Sequence, residues 1–244
     1  MENPSEILLI DKPAGITSFD VIRRLRNRLN VKKIGHAGTL DPLATGLMIL
    51  GVGPGTKQLT NYIKLDKVYE AEIRVGERRT TGDLEGDVTD SKSVEQSFTD
   101  EQLEKILDGM VGTTILPVSA YSAIKKNGVP MYKRAREAEK KGEEVTEIPM
   151  RAMEIFKAEL VSQKTQPVKA LDDNIVNCTK LENDCSSRLI VKVRFHVGSG
   201  TYIRSLAEEF GKQLGYPATL QSLRRTRVGQ FDIKNAQILE DYKL

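Results

Sequence analysis

Residues 68 to 75 set Tyr69, Ala71, Ile73 and Val75 against Val68, Glu70, Glu72 and Arg74. That alternation fits a half-buried strand, because successive side chains of an extended chain point to opposite faces. The same period returns at 152 to 161 (AMEIFKAELV) and at 189 to 197, where Leu189, Val191, Val193, Phe195 and Val197 share one face. The apolar runs 6 to 10 (EILLI) and 47 to 52 (LMILGV) read as buried strands. Strands of both kinds have to cover their apolar faces with helices or a second sheet.

Helical periodicity supplies that cover. Asp11-Lys12-Pro13-Ala14-Gly15 forces a turn, after which Ser18 is the expected N-cap of a helix with Val21, Ile22, Leu25 and Leu29 on one face. Thr99 and Gln102 have capping-box spacing ahead of Leu103, Ile106, Leu107 and Met110, which predicts a helix over 100 to 110. Another is predicted from Pro130 to a stop at Gly142. A last one covers 203 to 214, with Ile203, Leu206, Ala207, Phe210 and Leu214 inward and Gly215 as its stop. No repeat and no regular strand-helix-strand alternation appears, so the expected fold class is α+β, a mixed and mainly antiparallel central sheet flanked by helices. At 244 residues the expectation is one domain spanning 1 to 244, with the polar, non-periodic stretch 163 to 187 as a mobile loop.

With 39% hydrophobic and 29% charged residues the chain has the material for a core and no disorder-grade excess of charge. No run approaches the roughly 18 apolar residues of a membrane span, and Met1 to Ile10 lacks the form of a signal peptide. A cytoplasmic protein without membrane contact is expected. Cys178 and Cys185 share one polar stretch with neither histidine close in sequence, so free thiols are expected and no metal. The net charge of +3 hides an uneven layout. Basic residues crowd into 20 to 33 (DVIRRLRNRLNVKK), into 125 to 141 and at Arg224, Arg225 and Arg227, while acid concentrates in 83 to 108. A single such run is ordinarily a solvated face; three raise a nucleic-acid-binding surface.

The segment 35 to 46 (GHAGTLDPLATG) carries the chemistry-bearing pattern. Gly35, Gly38 and Gly46 let the backbone bend or approach a ligand, and Pro42 biases Asp41 to an extended conformation that projects its carboxylate. The same spacing also suits a structural turn in which Asp41 bonds its own backbone. Other engines fail on spacing. Thr56 stands where a phosphate-binding loop needs the glycine before Lys57, and no G-x-S-x-G appears. With His36 and His196 the only histidines, a Ser-His-Asp engine would have to use one of them, whereas a carboxylate mechanism needs neither.

LLIDKPAGITS (8 to 18), GHAGTLDPLATG (35 to 46), KVYEAEIRVG (67 to 76), SAYSAIKKNG (119 to 128), GTYIRSLAEEFG (200 to 211) and LRRTRVGQF (223 to 231) together resemble, in order, the motifs of the TruB family of pseudouridine synthases of bacterial type. The resemblance covers nearly the whole chain. It implies conversion of uridine to pseudouridine at position 55 in the T-loop of tRNA, by base flipping and an aspartate-dependent break of the N-glycosidic bond. Asp41 would be the catalytic aspartate, Tyr69 would stack on the target base, and Arg204 would pair with Asp41. His36 would support the RNA with its base flipped out, Tyr202 and Leu223 match pocket positions, and Lys12 matches a position supporting the active-site loop. Tyr69 also alternates with core residues and Tyr202 also begins a helix, so packing accounts for either as well.

The implied reaction is an isomerisation, so no cofactor is expected. The implied partner is the T-arm of tRNA, met by a monomer. Many relatives continue into an RNA-binding PUA domain, and none is expected in this sequence; the 163 to 187 segment is longer than the family's usual connection. Two other functions are compatible with the fold: a non-catalytic tRNA-binding or tRNA-folding protein, and a guide-dependent synthase acting on ribosomal RNA.

Overall fold

The computed structural model describes residues 7–122, 124–143, 145, 147–167 and 187–239. Cys178, Cys185 and the 168 to 186 part of the expected mobile loop lie outside the described residues. The elements in chain order begin with β1 (Ile7–Lys12), α1 (Ser18–Leu29), β2 (Ile34–His36) and β3 (Thr45–Val52). A 3-10 helix (Gly53–Leu59), α2 (Thr60–Ile63), β4 (Lys67–Val75), β5 (Glu77–Arg79) and β6 (Val88–Ser91) follow. Next come α3 (Asp100–Gly109), β7 (Gly112–Pro117), β8 (Lys125–Lys126), β9 (Val129–Pro130) and α4 (Met131–Lys141). The chain continues through β10 (Met150–Pro167), β11 (Ser187–Val197), α5 (Ile203–Leu214), β12 (Ala218–Val228), β13 (Phe231–Asp232) and β14 (Gln237–Ile238).

The ten-stranded sheet has the order β14-β1-β3-β12-β4-β11-β10-β7, with β13 on β12 and β2 on β3. Its pairings are mixed: β1 with β3 and β7 with β10 are antiparallel, while β12 with β3 and β1 with β14 are parallel. The α+β class expected from the periodicity is the class found. The chain divides into two compact units, one made of 1–71, 194–200 and 222–244, the other of 72–193 and 201–221.

In the first unit β3 is buried along nearly its whole length, as a central strand covered on both sides should be. One side meets Ala37, Leu59 and Val228, with Tyr62 and Phe231 packed edge to face at a ring separation of 5.3 Å. Helix α1 buries Val21, Ile22, Leu25 and Leu29, the face foreseen. Its cap differs from the expectation. Thr17, not Ser18, is the N-cap, because Asp20 stands three residues after it and closes a reciprocal capping box; Ser18 is the first helical residue and is buried. Strand β1 runs on through Lys12, past the end foreseen at Ile10, because its pairing with β3 continues to Lys12 opposite Gly46.

In the second unit α3 starts with the expected Thr99–Gln102 capping box, and α5 ends on a left-handed Gly215 as foreseen. Leu103 and Leu107 of α3, Leu206 and Phe210 of α5, and Met153 and Ile155 of β10 form its buried interior. The Asn127-Gly128 pair, both at positive φ, turns the β8–β9 hairpin. Residues 163 to 167, expected in the loop, extend β10, and Ser187 opens β11. Among the described residues no helix is long and apolar enough to cross a membrane.

Candidate active site

Asp41 sits in the connection between β2 and β3, and that connection is fastened carbonyl by carbonyl. Arg225 reaches it from β12: Nη2 donates to Gly38 O at 3.2 Å, Nη1 to Thr39 O at 3.4 Å and Nε to Leu47 O at 2.7 Å. From β1, Lys12 Nζ donates to Pro42 O at 3.1 Å, Ala44 O at 2.6 Å and Pro13 O at 2.9 Å. Ser18 Oγ at the start of α1 donates to Leu40 O at 2.9 Å and accepts from Leu40 N at 2.8 Å. Backbone bonds add Ala44 N to Asp41 O at 3.1 Å and Gly15 N to Pro42 O at 2.9 Å. Two buried cations and one hydroxyl therefore hold the backbone on both sides of Asp41.

Both cations are out of water, Lys12 at 0% exposure and Arg225 at 2%. An ammonium or guanidinium buried in this way is tolerated only where its donors are satisfied, and each bond from a charged donor contributes about 1.5–3 kcal/mol. The carbonyls are thus part of what permits the two charges to be buried, and the charges fix the carbonyls in return. Gly46 makes the arrangement possible. Its φ is 106°, and a Cβ there would lie 2.3 Å from Arg225 O and 2.8 Å from Arg225 N, where β12 runs parallel beside β3.

His36 ends β2. Its Nδ1 accepts from Gly38 N at 3.2 Å, which requires that nitrogen to be unprotonated. Burial, helped by the Arg225 charge, pushes the imidazole pKa below its ordinary value, so the neutral ring is favoured. Leu223 is buried in β12, and its carbonyl accepts from Thr45 Oγ1 at 3.3 Å. Next to it, Arg224 clasps Asp11 through two bonds of 2.6 and 3.2 Å. Tyr69 is 7% exposed, on the side of β4 that also carries Ala71. The start of that strand is held by Lys67, whose Nζ donates to Ile63 O at 2.9 Å and Leu65 O at 2.5 Å. Burial, with Arg225 adding to it, lowers the Lys67 pKa to about 8.

Arg204 and Tyr202 belong to the second unit. Tyr202 is the N-cap of α5 and makes no side-chain cap bond. Arg204, 5% exposed, donates to Thr81 O at 2.8 Å, Ser119 Oγ at 3.3 Å and Tyr121 O at 3.5 Å. Its Nη1 also lies 3.4 Å from Asp83 Oδ2. Asp83 is itself buried and accepts from Thr81 Oγ1 and Glu85 N. Arg204, Ser119 and Tyr121 line a cavity of about 630 Å³ together with Arg78, Glu139 and Glu208. Burial raises the Glu208 pKa, against the pull of Arg78 and Arg204. Among the described residues no group of His, Cys, Asp and Glu is arranged to hold a metal ion.

Lys12, His36, Asp41 and Leu223 thus belong to one framework in the first unit, built around β3 and β12. Sequence reasoning missed Arg225 and Asp83, and it missed that Ser18 serves the loop rather than the helix end. By composition Arg225 groups with Arg224 and Arg227 as a basic run. The signal that separates it is parity: in an extended β12 it falls on the side of Leu223, and both are buried.

A family model described as TruB family pseudouridylate synthase (N terminal domain) matches residues 26–203. The tRNA pseudouridine synthase B of Corynebacterium efficiens is 37% identical over 237 residues, which is 97% of this chain and 71% of that protein. Those of a Mycobacterium species (strain KMS) and of Oenococcus oeni are 39% and 33% identical, each over 96% of this chain and over 70% and 72% of their own. Among solved structures, a Cbf5-Nop10-Gar1 complex matches with a TM-score of 0.62 at 22% identity, over 96% of this chain and 52% of that one. An H/ACA RNP bound to a substrate RNA containing 2'-deoxyuridine matches with a TM-score of 0.60, also at 22% identity, over 51% of its chain. The chain thus spans about half the length of those solved chains, and at that identity the likeness is one of fold.

Proposed function

The chain belongs to the TruB family of pseudouridylate synthases, and on that premise we propose how its residues carry the family's reaction. It is an enzyme that isomerises uridine to pseudouridine in tRNA. The target in this proposal is the uridine at position 55 of the T-loop, met by a monomer in the cytoplasm through the T-arm. The observation that carries the reading is the loop 38 to 44, whose carbonyls are held by Arg225, Ser18 and Lys12, so that Asp41 is presented from a rigid backbone. The backbone that presents this carboxylate is thereby fixed before substrate arrives.

The reaction breaks the bond from ribose C1′ to uracil N1 and turns the base. It then joins C1′ to C5, and the C5 proton leaves while N1 gains one. Atoms and electrons balance without a co-reactant, and one carboxylate serves either as nucleophile at C1′ or as the base that opens a glycal route. The target base first leaves its stack at a cost of about a few kcal/mol. In the proposal Tyr69 offsets part of that by stacking on the uracil, and neutral His36 supports the RNA from which the base has left. Tyr202 and Leu223 bound the base, Arg204 orients the Asp41 carboxylate, and Lys12 keeps the loop in place.

The test is to incubate purified protein with unmodified tRNA, with no guide RNA present, and to map pseudouridine. Product confined to the T-loop uridine is the expected result. Product elsewhere in the tRNA would overturn the position assignment; none at all would favour a protein that binds tRNA without modifying it if added guide RNA restores nothing, and a guide-dependent synthase if it does.

A further inference from the structure

Helix α1 buries Val21, Ile22, Leu25 and Leu29, and its first turn also presents Phe19 at 60% exposure. The helix needs no aromatic there, since its apolar stripe is complete without it. A lone exposed phenylalanine is ordinary, but the surroundings of this one are not. The Arg26 guanidinium lies 5.7 Å from the centre of its ring, and Arg26 Nη2 is tied to Ile34 O at 3.2 Å. Arg23, Arg24, Arg28, Lys32 and Lys33 are exposed along the same helix and the turn after it. A flat apolar ring set among cations suits a polyanion whose bases have π faces, and suits a neutral protein surface poorly.

Its place relative to Asp41 is fixed by the neighbouring residue. Ser18 exchanges two hydrogen bonds with Leu40, so Phe19 and Asp41 each lie one residue from the same anchor. By chain geometry their Cα atoms are separated by at most about 15 Å, within the reach of a few nucleotides. We propose that Phe19 is an RNA-stacking residue: its ring receives the face of an unpaired base beside the target uridine, and Arg23 and Arg26 meet the flanking phosphates. This rests on the reading of the chain as a tRNA uridine isomerase.

The chain contains no tryptophan, so Phe19→Trp introduces a sole indole at the proposed contact. Titration of that variant with an unmodified T-arm hairpin should quench its emission, saturating at the affinity the wild type shows, as stacking of a base on the ring requires. Phe19→Ala should bind the hairpin roughly five- to a hundredfold more weakly with its melting temperature unchanged, while Phe19→Tyr retains wild-type affinity. Unquenched emission would overturn the stacking assignment, whether or not Phe19→Ala loses affinity, because loss without quenching would mean that the ring only supports Arg26. Unchanged affinity of Phe19→Ala would overturn it as well. A wild-type chain that neither binds nor modifies the hairpin would instead overturn the functional reading beneath it.

Discussion

Arg225 Nη2, on a side chain buried in the first unit, lies 3.2 Å from the carbonyl oxygen of Gly38, three residues ahead of Asp41. Replacing Arg225 by Met would leave the Gly38, Thr39 and Leu47 carbonyls without that donor. Loss of about 1–3 kcal/mol of stability is expected, the cost of leaving the buried Leu47 carbonyl unmade, since the part-buried Gly38 and Thr39 carbonyls can turn to water. A loop that drifts by an ångström costs on the order of a hundredfold in rate. Single-turnover kinetics on Arg225→Met should therefore show a rate lower by ten- to a hundredfold, about 1.4–2.7 kcal/mol of barrier, with tRNA affinity little changed. Arg225→Lys should fall between, keeping the charge but not the three directions. An affinity loss matching the rate loss would make Arg225 an RNA contact.

Gly46→Ala should be among the most damaging small substitutions in the chain. Its Cβ would meet Arg225 O at 2.3 Å, on a backbone at φ 106° that only glycine adopts without strain. The β3–β12 pairing has to open, and a cost of about 3 kcal/mol or more is expected, read as a lower urea midpoint at unchanged slope. A midpoint equal to that of the wild type would mean the strands separate freely.

His36 makes a pH-dependent contribution whose sign follows from its lowered pKa. The unfolded chain binds the proton more readily, so stability is full above the ordinary histidine value near 6.5 and is lost as pH falls through the folded-state value. Asparagine offers Oδ1 where His36 offers Nδ1 to Gly38 N, without the titration. The difference in unfolding free energy between wild type and His36→Asn should be constant above about pH 7 and should shift in favour of the variant toward pH 5. A difference that does not vary with pH would contradict the burial-driven shift.

Arg204→Ala removes the cation facing buried Asp83 at 3.4 Å, together with the donors to Thr81 O and Ser119 Oγ. Stranding a buried carboxylate costs about 3–5 kcal/mol, less here because Thr81 Oγ1 and Glu85 N still serve it. A stability loss of about 2–4 kcal/mol is expected by denaturant unfolding, partly restored in Arg204→Ala combined with Asp83→Asn. Failure of the double variant to recover any stability would show that the carbonyl bonds, not the ion pair, are what Arg204 contributes.

The parts of this architecture legible in the sequence are those where period and burial agree. Strand β4 alternates cleanly, and the caps at Thr99 and Gly215 announce α3 and α5. Strand β12 was hidden because its centre reads LRRTR, a surface signal by composition, while folding buries Arg225 against carbonyls that the sequence gives no means of locating. The same holds for Lys12, whose position was named by resemblance but whose acceptors, Pro42 O and Ala44 O, lie thirty-odd residues on. Thr17 and Ser18 both carry a hydroxyl, and only Asp20 decides which one caps. Pro42 and the glycines mark the loop that carries Asp41, a spacing that suits a structural turn as well; the scaffold that holds the loop has no such mark.

In the proposed mechanism the Asp41 carboxylate, presented by this scaffold, performs the chemistry. Asp41→Asn keeps the shape and one acceptor oxygen and removes the charge and basicity on which either route depends. The direct measurement is mapping of pseudouridine in unmodified tRNA after prolonged incubation with the variant, with tRNA affinity and melting temperature recorded alongside. Wild-type affinity, a wild-type melt and no product at the T-loop uridine are expected. Product formed by a folded Asp41→Asn at a rate within tenfold of wild type, a barrier change under about 1.4 kcal/mol, would contradict that mechanism.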